Sequence, residues 1–339
     1  MKNRHVIIPI FVPHKGCPND CIFCNQKKIS GQLEEITPEM MPGIIESHLA
    51  TIENGAFVEI AFYGGSFTAI DRTLQEGLLK EAYKYVKSGR VSEIRLSTRP
   101  DCIDDDILAM LKKYGVRTIE LGVQSLDEEV LRASCRGHDA ACVYESSKLI
   151  KRKGFRLGIQ TMTGLPGDTR EKALYTARQV ISISPEIVRI YPVLVIKGTA
   201  LEMLYLGGKY APMPLEEAVK LCAELLELYE KHGIKVIRIG LQATENIRSG
   251  SESDVAAGPE HPAFRQLVES ELARIHIEKI IEERELAGSS LLTIKTGASN
   301  ISNVVGQKRT NIYYFKSKYN IGRIKVIDDG SGRDEIRVE

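Results

Sequence analysis

The sequence predicts an α/β fold built on a parallel sheet, and three observations carry that expectation. Apolar, β-rich runs start near Val6, Val58, Glu93, Thr118, Arg156, Ile187 and Ile234, with helical patterns between them. Successive run starts lie 25 to 52 residues apart, which leaves room for a helical crossover each time. Residues with chemistry gather where these runs end, the rim at which parallel α/β folds keep their sites. A doubly wound sheet and a full or partial barrel both satisfy the pattern.

In chain order, Val6 to Val12 reads as a strand buried on both faces. It is too short, and too close to Pro9 and Pro13, to read as a signal peptide. Thr37 is expected to cap a helix with Pro38 at its first position. Ile103, Ile107, Leu111 and Tyr114 form one helical face, as do Val219, Cys222, Leu225, Leu226 and Tyr229. From about Gly288 the pattern changes, and Leu291 to Thr296, Ile312 to Phe315 and Arg323 to Ile327 read as strands. The expected organisation is an α/β body over residues 1–240, a helical extension packed on it over 241–287, and a small β-rich tail over 288–339.

Composition narrows the class. Of 339 residues 43% are hydrophobic and 27% charged, enough for a large core and against disorder. The net charge of +1 makes any basic surface local. No apolar run reaches the ~20 residues that span a bilayer. Seven cysteines, an odd number, argue against a disulfide framework and for a reducing cytoplasmic setting.

Cys17, Cys21 and Cys24 fall within eight residues, spaced C-x3-C-x2-C on a loop rich in Pro, Gly, Asn and Asp just after the first strand. Three thiolates from one loop can converge on one metal centre but cannot fill the four corners of an iron–sulfur cube. A cluster held this way keeps one iron open for another ligand. With His14 the same loop would instead make a Cys3His zinc site. The other cysteines read as small core residues, with Cys102 the exception because it follows Arg99-Pro100-Asp101 at the rim.

Other run ends carry polar or glycine-rich segments. They are Gly64-Gly65-Ser66, Arg99-Pro100-Asp101, Leu121-Gly122-Val123-Gln124-Ser125, Arg136-Gly137-His138, Gly164-Leu165-Pro166-Gly167-Asp168 and Tyr191 to Thr199. Each has an ordinary turn or cap reading. Paired glycines let a ligand approach the backbone closely.

This ensemble resembles the radical S-adenosylmethionine (SAM) enzymes. The cysteine spacing with Phe23 before the last thiol is that superfamily's hallmark, and the Gly64-Gly65 pair is its second mark. The resemblance implies a partial (β/α)6 TIM-like barrel and a 4Fe–4S cluster on Cys17, Cys21 and Cys24. SAM would chelate the open iron and be cleaved to a 5′-deoxyadenosyl radical that abstracts hydrogen from a substrate. Phe23, Gly64, Gly65, Ser66, Gln124, Arg136 and Gln160 would line the SAM site. Gln124 would touch the ribose and Arg136 the carboxylate. A one-electron reductant such as flavodoxin or ferredoxin is implied as partner.

Within the superfamily, Val6 to Thr199 resembles the radical SAM domain of the Elongator catalytic subunit, and more distantly the oxygen-independent coproporphyrinogen oxidase group. Elongator subunits have a longer insertion between the cluster cysteines and an acetyltransferase domain after the radical domain; none is expected in 339 residues. Relatives often place Glu where Ser97 stands and Asp where Gln160 stands. The likeness implies tRNA modification, with Arg99 and Lys197 as substrate-binding candidates. In the tail, Lys308, Arg309, Lys316 and Lys318 interleave with four aromatics, a composition that grips phosphate and stacks bases. The same run would also suit a β-hairpin with one face in the core and lysines guarding an edge. A small-molecule or protein substrate, or a non-catalytic iron–sulfur or zinc protein on the same barrel, are the competing readings.

Overall fold

A computed structural model describes residues 4–12, 21–25, 36–53, 55–241, 253–332 and 335–339. The chain forms two compact units, the first of residues 1–213 and 229–260, the second of residues 214–228 and 261–339.

The first unit is built on seven parallel strands: β1 His5–Val12, β2 Phe57–Gly64, β3 Glu93–Thr98, β4 Val116–Gln124, β5 Arg156–Thr163, β6 Ile187–Pro192 and, after the short β7 Val195–Ile196, β8 Lys235–Ile239. They lie in the order β1-β2-β3-β4-β5-β6-β8. Each strand is added beside the last, with no reversal of direction across the sheet, so the sheet winds one way and curls into a half-barrel. The six-stranded barrel of the sequence reading therefore has a seventh strand, at the run near Ile234. β7 pairs antiparallel with β9 Val255–Ala257.

The helices that follow the strands are α1 Met41–Leu49, α2 Arg72–Lys87, α3 Asp105–Lys113, α4 Glu128–Ala133, α5 Ala140–Arg152, α6 Arg170–Ile183 and α7 Ala200–Leu206. Most start on a side-chain cap: Asp71, Asp104, Asp127, Asp139, Thr169 and Thr199 each accept from a backbone N–H in the first turn. Thr37 stands at an N-cap before Pro38, as expected, but makes no side-chain cap hydrogen bond, and the segment opens as a 3-10 turn. In α3 the buried face is Leu108, Met110 and Leu111, rotated from the expected stripe, with Ile107 only half-buried. β1 buries Ile8, Ile10 and Val12, while Ile7, Pro9 and Phe11 on its other face are only half-buried.

The segment α8 Leu215–Lys231 buries Leu221, Cys222, Leu225, Leu226 and Tyr229, and Val219 stays half-buried. In the second unit, α9 Phe264–Glu283 shares one apolar core with the tail, joining Ala273, Ile277 and Ile281 to Leu292, Ile294, Ile312 and Phe315. The tail holds a three-stranded sheet, β11-β10-β12, of β10 Leu291–Thr296, β11 Arg323–Asp328 and β12 Ile336–Val338. Ile312 to Phe315 is not a strand. It lies in α11 Thr310–Tyr319, preceded by the short α10 Ile301–Val305. The physical reason is spacing: Ile312, Phe315 and Tyr319 stand three and four apart and are the buried set, so a helix buries together what an alternating strand would separate.

Candidate functional site

The cysteine loop is described from Cys21 to Asn25; Cys17 and His14 lie outside the described residues. Its backbone is tied on two sides. Ile22 donates to the Ser134 carbonyl at the end of α4, and Leu201 at the start of α7 donates to the Ile22 carbonyl at 2.8 Å. Cys21 and Phe23 are buried in one apolar cluster with Val130, Leu165, Val193 and Leu201.

Two arginines reach the Cys21 sulfur. Arg136 donates through Nη1 at 3.2 Å and Arg99 through Nη1 at 3.7 Å. They are 5% and 4% exposed. Arg136 also donates to the Gly122 carbonyl. Arg99 is clamped by both oxygens of Asp101 at 2.9 Å and donates to the Arg136 carbonyl. Arg99, expected to meet substrate, is thus buried among protein groups beside the cysteine loop.

β4 ends on a register shift between Gly122 and Gln124, and Gln124 adopts φ +69°. The bulge re-aims its side chain into the site. A Cβ on Gly122 would meet Gln124 Nε2 at 3.1 Å and Arg136 Nη2 at 3.6 Å, so the missing side chain leaves the room these two groups share. At the end of β2, Gly64 has φ +100°, and a Cβ there would stand 2.9 Å from the Val12 carbonyl. Gly65 donates to that same carbonyl. Ser66 is committed to the protein: its hydroxyl bonds Thr98 and accepts from the Arg99 N–H.

Below this rim lies a charge network that the sequence reading missed. Glu120 accepts from Arg189 Nε at 2.5 Å and Nη2 at 3.0 Å, from Arg95 at 3.2 Å and from Tyr63 at 3.3 Å. Arg95 also pairs with the buried Glu59, which His5 contacts. Gln160 donates to Ser97 at 3.1 Å and toward Glu120, so the two positions where relatives carry acids are bonded to each other. Burial and the Glu120 charge push the Tyr63 phenol up to about 12. The signal was present as a period of two: Glu59, Ala61, Tyr63; Arg95, Ser97, Arg99; Glu120, Gly122, Gln124; Arg189, Tyr191. Strands that look apolar carry one polar face, and that face turns inward.

Burial and the neighbouring Arg136 charge push His138 down to about 4. Burial raises Asp168 to about 6 although Gly164 donates to it. Cys222 is buried as expected, but Cys135 is exposed, in a left-handed turn after α4, and burial pushes the half-buried Cys142 up to about 11. Lys197 is held by its backbone N–H on the Asp254 carbonyl. In the second unit Lys308, Arg309 and Lys316 are exposed, whereas Lys318 pairs with Glu278 at 2.6 Å. Tyr314 and Tyr319 also bond Glu278, and Phe315 is buried, so Tyr313 alone of the four aromatics is exposed. The edge-hairpin reading and the full stacking surface both give way to a helix.

A family model described as the radical SAM superfamily matches residues 11–180, and one described as the radical SAM C-terminal domain matches 185–274. The chain belongs to the radical SAM superfamily. A tRNA uridine(34) acetyltransferase of Dehalococcoides mccartyi is 27% identical over 272 residues, 69% of this chain and 58% of that protein. The chain therefore spans little more than half of that relative's length. Human Elongator complex protein 3 is 31% identical over 191 residues, 50% of this chain and 35% of its own. The archaeal Methanocaldococcus infernus Elp3 structure shares the fold, with TM-score 0.61 and 21% identity over 84% of this chain and 64% of that one.

Radical SAM enzymes use a 4Fe–4S cluster and SAM. This chain's described residues fit those groups. Gln124 Oε1 and Arg136 Nε are buried with no hydrogen-bond partner among the described residues, an acceptor and a donor at one rim. Neither Cys21 nor Cys24 is in a disulfide, and two guanidiniums reach the Cys21 sulfur, where they would balance the charge of a metal-bound thiolate. Among the described residues no helix is long and apolar enough to cross a membrane.

Proposed function

We propose that the protein abstracts hydrogen from a nucleoside of tRNA, with Cys17, Cys21 and Cys24 as the cluster ligands. The observation that carries the site is the convergence of Arg136, Gln124 and the side-chain-free Gly122 beside the Cys21 sulfur. When bound, the cluster and SAM supply a one-electron cleavage that yields a 5′-deoxyadenosyl radical.

The chain's residues position and shield. The Gln124 amide oxygen accepts from a ribose hydroxyl, and Arg136 holds a carboxylate through the N–H it leaves unused. Gly64 and Gly65 keep the backbone open to SAM's polar end. Phe23, Leu165 and Val193 exclude water around the thiols. Gln160 and Ser97 would present a neutral wall, so SAM's amine would meet no carboxylate from these two positions. The tRNA substrate is supported by the relatives named for tRNA uridine 34, with Lys308, Arg309 and Lys316 as phosphate contacts.

Anaerobic reconstitution tests it. Reduced protein should release 5′-deoxyadenosine and methionine from SAM, faster with total tRNA than without. A colourless protein that binds zinc and leaves SAM intact would overturn the reading. Cleavage that total tRNA never stimulates would remove tRNA and keep the radical chemistry.

A further inference from the structure

The segment Gly164-Leu165-Pro166-Gly167-Asp168, which follows β5, is held at both ends of one peptide group. The Gly164 N–H donates to Asp168 Oδ2 at 2.8 Å, and the Gly164 carbonyl accepts from the Tyr210 hydroxyl at 2.6 Å. Burial and the Asp168 charge push the Tyr210 phenol up to about 12, so it stays a protonated donor at neutral pH. Leu165, next in the chain, is buried with Cys21 and Phe23. Cys24, Tyr205 and Tyr210 pack against the same apolar cluster. Gly164 and Leu165 thus join Tyr210 to the wall around the cysteine loop.

Tyr210 belongs to a thinly tied stretch of chain. After α7, the N–H groups of Gly207, Gly208 and Lys209 close the last turn on the Met203, Tyr205 and Leu204 carbonyls. Tyr210-Ala211-Pro212-Met213 then runs on without helix or strand, the last residues of the first unit before the chain passes to the second at Pro214. Among the described residues the bond to Gly164 is the only hydrogen bond these four residues make. Pro212 has no N–H to offer. The second tie is apolar: a Cβ on Gly164 would stand 3.6 Å from the Met213 Cβ, so the bare face of the glycine seats that side chain. Gly208, at φ +67°, has nothing within 4 Å of where a side chain would start, so the chain can pivot there without repacking.

We propose that Tyr210–Met213 is a strap, latched by the Tyr210 hydroxyl on Gly164, that governs access of solvent to the cysteine loop. The proposal rests on the cluster reading above. Latched, the strap holds the Tyr210 ring and the Leu165 segment against the apolar wall of the thiols. Released, it swings about Gly207 and Gly208 and uncovers that wall. One neutral hydrogen bond and one methionine contact are a light closure, and segments with so few ties open far more often than the fold unfolds.

The test reads access in two ways. In the reconstituted protein, loss of iron to excess EDTA is followed without oxygen. In the metal-free protein, alkylation of Cys21 by iodoacetamide is followed by mass spectrometry, with the fully buried Cys222 as the control for unfolding. Tyr210→Phe removes the hydroxyl and keeps the ring. It should speed both iron loss and Cys21 alkylation about three- to tenfold and leave Cys222 unchanged. Met213→Ser, which weakens the other tie, should act in the same direction. Wild-type rates in both variants overturn the proposal. Equal acceleration at Cys21 and Cys222 also overturns it, because Tyr210 would then support the fold as a whole. If the wild type takes up no cluster, the functional reading fails, and Cys21 alkylation alone decides the strap.

Discussion

Arg136 donates to the sulfur of Cys21 across 3.2 Å, although 115 residues separate them in sequence. Arg99 reaches the same sulfur and also grips the Arg136 carbonyl, so the two arginines position each other. The cysteine loop is thus wired to the ends of β3 and β4 through charge-assisted contacts. Replacing Cys21 with Ala should abolish iron retention, read by iron content and the visible spectrum of the reconstituted protein. A full cluster in Cys21→Ala would refute its assignment as a ligand.

Arg136→Ala should weaken SAM binding by about 1.5–3 kcal/mol, the worth of a hydrogen bond to a charged group. Arg136→Lys should recover part of the affinity, because it restores the positive charge but not the fixed Nε–H. Equilibrium dialysis of SAM against reconstituted protein measures this. Affinity unchanged in both variants would remove Arg136 from the SAM site.

Gly64→Ala should cost about 1–3 kcal/mol of stability, because φ +100° is strained for any side chain and the Cβ would press on a backbone carbonyl that cannot yield. Gly65→Val should act differently. It fills space SAM needs, lowering SAM affinity while the cluster stays. Chemical denaturation of both variants beside SAM titration separates the two effects.

Glu120 is the hub of the barrel's interior, so Glu120→Leu should destabilise by about 3–5 kcal/mol by leaving Arg189 buried without its carboxylate. The double change Glu120→Leu with Arg189→Met should recover part of that loss, since Arg189 is no longer stranded while Arg95 and Tyr63 still lose their Glu120 contacts. Urea unfolding of the two single variants and the double variant gives the coupling. Additive losses would mean the pair is not the unit.

The seven parallel strands of the first unit's main sheet were legible because buried strands are the densest apolar runs in the chain. The inward charges were not, because Arg95, Glu120 and Arg189 sit singly among Ile, Leu and Val, and only their shared parity in adjacent strands shows that they meet. The helix over Ile312 to Phe315 was misread because tyrosines and phenylalanine favour strands locally. The buried core shared with α9 overrode that preference.

His138 gives a pH signature. Its folded value near 4 lies below the unfolded value near 6.5, so between those limits the unfolded chain holds more protons. Stability should therefore rise with pH through that window and be lost as pH falls, by at most about 1.4 kcal/mol per pH unit. Asp168, raised to about 6, acts with the opposite sign, so the total profile mixes the two. The difference between wild type and His138→Asn isolates the histidine. A difference that is flat from pH 4 to 6.5 would contradict a half-buried ring held neutral by its surroundings.

The tail tests the substrate. If Lys308, Arg309 and Lys316 contact phosphates, binding of total tRNA should fall with salt at a log–log slope of about −0.7 per phosphate neutralised on single strands. Changing these three to Ala should remove most of the slope and leave SAM cleavage without tRNA intact. Lys318→Ala should leave the slope nearly unchanged, because Lys318 is already paired with Glu278 and lies over the Tyr314 and Tyr319 rings. Tyr313→Ala should weaken binding by about 1–3 kcal/mol if an unpaired base stacks on its exposed ring. A slope set by Lys318 rather than by the other three would place the RNA on the α9 side of α11. No binding at low salt would turn the search to a small molecule or a protein.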